Sequence, residues 1–176
     1  MEEINIRIRR ALCLFLIIAL VPCSCINEEE FVEEVLTIGN QLPDFEVIIN
    51  DGTSLTGALL RTTPSVVMFF HTLCPDCQQT LPHMQRLYDT YASNGVRFVL
   101  ISREDGDMSV SAYWEEHQLT MPYSAQNDRT IYELFAYSRV PRVYVSDTTG
   151  TIRHIFTDDP TPTYQMLDEA IKDVMK

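Results

Sequence analysis

Ser65-Val-Val-Met-Phe-Phe70, His71-Thr-Leu73 and Cys74-Pro-Asp-Cys77 follow one another without interruption, and this stretch decides the fold. The first six residues form an apolar run with no polar alternation, as expected of a strand buried on both faces. After the cysteines, Leu81, Met84, Leu87, Tyr88 and Tyr91 recur at helical spacing, and Asn94-Gly95 supplies a stop signal. The two thiols therefore stand where a buried strand gives way to a helix. Pro82 falls inside that helix and is expected to kink it.

With Cys74 at the helix N-terminus and Cys77 one turn later, their Cβ atoms lie about 5–6 Å apart, so a small adjustment closes a disulfide. Unpaired N–H groups and the positive end of the helix dipole favour a thiolate at the first position. Cys74 is thus the expected nucleophile, with a lowered pKa. Cys77, further in, is the expected resolving thiol for a mixed disulfide. A carboxylate at Asp76 opposes the dipole and disfavours the Cys74 thiolate. A less stabilised thiolate means a lower reduction potential, which predicts a reductase or isomerase over a disulfide donor.

The chain has 176 residues, enough for one domain of ordinary size with one sizeable core. Residues 1–10 carry Arg7, Arg9 and Arg10, and residues 11–21 are apolar. That pairing predicts a signal peptide over 1–24, since the apolar stretch is too short to span a bilayer comfortably. It ends in Pro22-Cys23-Ser24-Cys25, which resembles a bacterial lipoprotein signal. Cys25, after the small Ser24, suits lipidation better than Cys23, although Pro22 departs from that pattern. Residues 25–37, with an acidic run from Glu28 to Glu34, read as a tether, and residues 38–176 as the domain. The expected location is the cell envelope, on the periplasmic side or at the outer membrane.

Removal of residues 1–24 takes away Cys13 and Cys23, and lipid occupies Cys25, so Cys74 and Cys77 remain as the only thiols of the five cysteines. One pair is no disulfide framework. Three Arg and two Glu leave with the same segment, which moves the formal charge from -12 to -13. That charge argues against nucleic acid and anionic lipid surfaces as partners.

Along the domain, residues 44–49 alternate and meet Asn50-Asp51-Gly52, a strand running into a turn. Residues 96–101 read as a second buried strand, 108–117 and 129–136 as helices, 142–146 and 151–156 as a hairpin, and 163–175 as an amphipathic helix. The order β-α-β-α-β-β-α gives an α/β architecture in which helices cover both faces of a mixed central sheet.

Several further stretches together resemble the thioredoxin fold and, within it, the TlpA/ResA-like thiol-disulfide oxidoreductases. They are Gly39-Asn-Gln-Leu-Pro-Asp-Phe45, the segment from Phe69 to Cys77, Leu81-Pro82 and Val140-Pro141. The resemblance implies that Pro141 follows a cis peptide bond, faces the dithiol, and leaves the backbone of Val140 to pair with an extended substrate segment. It implies protein disulfides as substrates and a membrane or periplasmic thiol donor as reductant. Pro75, Asp76 and His71 are the residues expected to tune the pair. Two departures stand out: Leu73 replaces the family's usual Trp, and Thr80 stands where many members have a Glu that relays protons.

Other chemistries fit less well. His71-x-x-Cys74-x-x-Cys77 has metal-like spacing, yet no second cysteine pair completes a tetrahedral site, and neither a metal nor a cofactor is expected. A thioredoxin-fold peroxidase would want Thr or Ser three residues before its reactive cysteine, where His71 stands. Copper chaperones of this fold place three residues between their cysteines, and this chain has two. The aromatic residues Tyr113, Trp114, Tyr132, Phe135 and Tyr137 read as core or rim packing.

Overall fold

In the computed structural model, which describes residues 35–176, the apolar run Ser65–Phe70 is the central strand of a five-stranded sheet, and all six of its residues are buried. The signal segment, Cys25 and residues up to 34 of the tether lie outside the described residues.

The strands are β1 Glu46–Ile48, β2 Ser54–Thr56, β3 Ser65–Phe70, β4 Arg97–Ser102, β5 Tyr123–Ser124, β6 Arg142–Ser146 and β7 Ile152–Phe156. The helices are α1 Gly57–Leu60, α2 Pro75–Tyr91, α3 Asp107–Glu116 and α4 Tyr164–Val174. The main sheet has the order β5-β4-β3-β6-β7, and β1 pairs with β2 in a separate antiparallel hairpin. β3 runs parallel to β4 and antiparallel to β6, so the sheet is mixed. This is the thioredoxin-like α/β fold.

Alternation along β3 sends Phe69 and Phe70 to opposite faces. Phe70 meets Trp114 of α3, and on the same face Phe98 meets Tyr88 of α2. The last helix docks on α2 through the Tyr91 hydroxyl, which donates to Asp168 at 2.6 Å. Phe69 points the other way, into an aromatic cluster of Tyr132, Phe135 and Tyr144.

That second face corrects one expectation. Residues 129–136 form no α-helix; only Tyr132–Leu134 make a single 3-10 turn. The inward claims of Tyr132 and Phe135, both buried, override helical propensity there. Two short elements carried no readable pattern, the helix of four residues at Gly57–Leu60 and the two-residue strand at Tyr123–Ser124. Pro82 lies inside α2, which runs on through it to Tyr91. The helix then tightens into a 3-10 turn and stops at Gly95, whose φ of 90° is the left-handed conformation that glycine adopts without a Cβ penalty.

Candidate dithiol site

Cys74 occupies the N-cap of α2, and Pro75 takes the first helical position, where its missing N–H costs nothing. The Cys74 sulfur accepts from the backbone N–H of Cys77 at 3.4 Å. Both cysteines are reduced. Cys74 is partly exposed, whereas Cys77 is fully buried. Burial pushes the Cys77 thiol far above its ordinary range, and the adjoining Cys74 adds to the rise through the hydrogen bond and its charge; the Asp76 carboxylate contributes in the same sense.

The cis-proline loop faces this pair. The Val140–Pro141 peptide is cis, and the Cys74 thiol donates to the Val140 carbonyl oxygen at 3.2 Å. That carbonyl is therefore occupied by the thiol itself, and a substrate strand pairing there would take the thiol's place.

The loop is braced from behind. The Tyr132 hydroxyl is shared between the carbonyls of Ser138 and Arg139, the second at 2.6 Å, and the Arg142 guanidinium donates to Ser138 O at 3.0 Å. Arg139 has a φ of 67°, a left-handed conformation uncommon for a residue with a Cβ. Burial raises the Tyr132 hydroxyl pKa, while the nearby Arg142 charge works against the rise.

The remaining sequence-derived residues have distinct surroundings. His71 Nδ1 accepts from the Leu73 N–H at 3.1 Å and lies 3.6 Å from the buried Asp105 carboxylate, which in turn accepts from the Thr72 backbone and hydroxyl. Asp76 accepts from the Thr161 hydroxyl at 3.0 Å, so the loop after β7 reaches back to the dithiol helix. Thr80 is fully buried and donates to the Asp76 carbonyl at 2.8 Å, a back-bond inside the helix that gives it no path to a thiol proton. Leu73 is 80% exposed and forms an apolar knob beside Cys74. Among the described residues no cluster of three or more His, Cys, Asp or Glu could hold a metal. Thr161 and Asp105 gave no signal in the sequence, and Tyr132 read there only as packing, not as the brace of the loop; each sits far along the chain from the cysteines.

A strand-to-helix dithiol opposite a cis-proline, on a five-stranded mixed sheet, defines a thioredoxin-fold protein. The AhpC/TSA family matches residues 38–155, two-thirds of the chain. The chain belongs to the AhpC/TSA family, and within it is TlpA/ResA-like. It is 26% identical over 150 residues to the thiol-disulfide oxidoreductase ResA of Oceanobacillus iheyensis, a match covering 83% of this chain and 78% of that protein. Its fold superposes with a TM-score of 0.74 on the solution structure of a candidate protein disulfide isomerase from Bacteroides thetaiotaomicron, at 18% identity, covering 82% of this chain and 91% of the other. A thiol:disulfide interchange protein of the thioredoxin family from Chlorobium tepidum aligns with a TM-score of 0.67 at 22% identity, over 80% of this chain and 99% of its own.

Proposed function

We propose that this thiol-disulfide oxidoreductase reduces or isomerises protein disulfides in the cell envelope, with Cys74 as nucleophile and Cys77 as resolving thiol. The observation that carries the reading is the asymmetry of the pair, a partly exposed sulfur at a helix N-cap and a fully buried one a turn behind it. In the first step the Cys74 thiolate attacks one sulfur of a substrate disulfide; that S–S bond breaks, the leaving sulfur departs as a thiolate, and a mixed disulfide forms. In the second, Cys77 gives up its proton and attacks the Cys74 sulfur. The substrate's second thiol is released and a Cys74–Cys77 disulfide remains, two electrons having passed to the substrate. An external thiol donor then returns the pair to its reduced form.

Pro141 and Val140 would hold the substrate segment, and Pro75, Asp76 and His71 would tune the dithiol. Export rests on the basic and apolar segments of residues 1–24, with lipid on Cys25 and residues 25–37 as tether. ResA-type relatives support a redox function and a protein partner. Among the described residues no helix is long and apolar enough to cross a membrane.

Trapping with Cys77→Ser tests the reading. The stalled mixed disulfide should be recovered on Cys74 with client proteins and released by reductant. Absence of any trapped species in cells that need the protein would overturn it. A reduction potential above about -150 mV, near the oxidase end of the range, would overturn the reductive direction alone. Turnover of hydrogen peroxide in a coupled assay would move the reading to a peroxidase.

A further inference from the structure

A groove of about 410 Å³ opens directly onto Cys74. Leu73, Pro75 and Val140 supply its apolar wall, and its polar lining is His71, Arg103 and Arg139, with no carboxylate. This is unusual on a chain of formal charge -12, whose only cations between residues 35 and 176 are ten Lys and Arg. Four of these ten, Arg103, Arg129, Arg139 and Arg142, gather around Tyr132 and the loop leading to Pro141.

The acids that balance the cluster sit behind it. Arg103 is held by Glu104, through Nε at 2.8 Å and one terminal nitrogen at 2.5 Å. Its other terminal nitrogen has no hydrogen-bond partner among the described residues. Arg139 lies 3.6 Å from Asp158, and His71 lies 3.6 Å from Asp105. None of these three acids lines the groove, so each pair turns its basic end toward the nucleophile. Two backbone features fix the bases there. The Arg103 N–H donates to Phe70 O at 2.8 Å, at the end of the central strand, and the left-handed Arg139 is pinned by Tyr132. Strained backbone of this kind concentrates where a side chain must be aimed. The protein's overall negative field is screened beyond about 8 Å at physiological salt, so the local lining governs what docks beside the thiol.

We propose that the disulfide attacked by Cys74 belongs to a peptide segment carrying a carboxylate beside its cysteine, and that Arg103 and Arg139 select it. The inference rests on the thiol-exchange reading above and deepens it by naming the substrate class.

The test uses the reduced protein and disulfide-linked peptides of one length, with Glu, Gln or Lys flanking the cysteine, scored by kcat/KM for reduction. The expected order is Glu above Gln above Lys, with Glu over Lys about tenfold at physiological ionic strength, where the chain's overall negative field is screened. Added salt should compress that ratio. So should Arg103→Gln and Arg139→Asn, the latter chosen because Asn tolerates the left-handed backbone; Arg139→Lys should restore part of it. Circular dichroism shows whether each variant is folded. Equal rates for Glu and Gln, a preference for Lys, or a ratio that survives the double variant would overturn the proposal while leaving thiol exchange intact. No reduction of any peptide would overturn the thiol-exchange reading itself, and the proposal with it. Glutathione disulfide carries carboxylates without an extended peptide segment, and reduction of it as fast as of the Glu peptide would overturn the peptide assignment.

Discussion

The Cys74 thiol donates to the Val140 carbonyl oxygen at 3.2 Å across 66 residues of sequence, while the same sulfur accepts the Cys77 amide at 3.4 Å. One atom thus ties the helix carrying the dithiol to the loop carrying the cis-proline. Anything that loosens that loop changes what the Cys74 sulfur faces.

The brace behind the loop is the first target. Tyr132→Phe keeps the buried ring and its edge contact with Phe69 but removes the hydroxyl shared by the Ser138 and Arg139 carbonyls. A loss of about 1–3 kcal/mol is expected in urea unfolding. Insulin reduction should fall more steeply than this stability loss accounts for, because the Val140 carbonyl is no longer fixed. Unchanged turnover in a fully folded variant would refute the bracing role.

Burial of Cys77 gives a pH dependence with a definite sign. Its folded thiol titrates above the unfolded one, so the unfolded chain releases the proton first as pH rises. Stability from this group is complete below the unfolded value of about 8.5 and declines above it by up to about 1.4 kcal/mol per pH unit. Between pH 8 and 9.5 the reduced protein should lose stability faster than Cys77→Ala does. Parallel curves would contradict the assignment.

Asp76 raises the cost of ionising Cys77, so removing its charge should favour the reduced form. Asp76→Asn is expected to lift the reduction potential by roughly 10–20 mV, a modest change because the carboxylate is partly solvated and held by Thr161. Equilibration against a glutathione redox series measures it, and a fall in potential would reverse the argument.

Phe69 sits at the centre of the second-face cluster, 4.8 Å from the Phe135 ring and 5.2 Å from Tyr132. Phe69→Ala is expected to cost about 3–5 kcal/mol in denaturant unfolding, the usual penalty for emptying an aromatic site in a packed core. A loss below 1 kcal/mol would mean that the cluster collapses to fill the gap.

The core strands were legible because β3 and β4 are buried on both faces, and such strands announce themselves as apolar runs. The dithiol was legible because strand, cysteines and helix are contiguous. The 3-10 turn at Tyr132 was not, since its geometry follows from where two aromatic rings lodge against Phe69 and not from any local period. Nor was the setting of Asp76, whose hydrogen-bond partner Thr161 is 85 residues away. Arg103 and Arg139 belong to two separate loops that meet only when the sheet orders β4 and β6 on either side of β3.

On the proposed mechanism, the sulfur that caps α2 is itself the reacting atom. Once the Cys74 sulfur is bonded to another sulfur it is a poorer acceptor, and the Cys77 amide loses its hold on the cap. On oxidation the first turn of the helix exchanges that hydrogen bond for the covalent Cys74–Cys77 link, and on reduction it regains it. The molecule in this way carries its own gauge of electron content, readable from outside as the solvent exchange rate of a single backbone hydrogen.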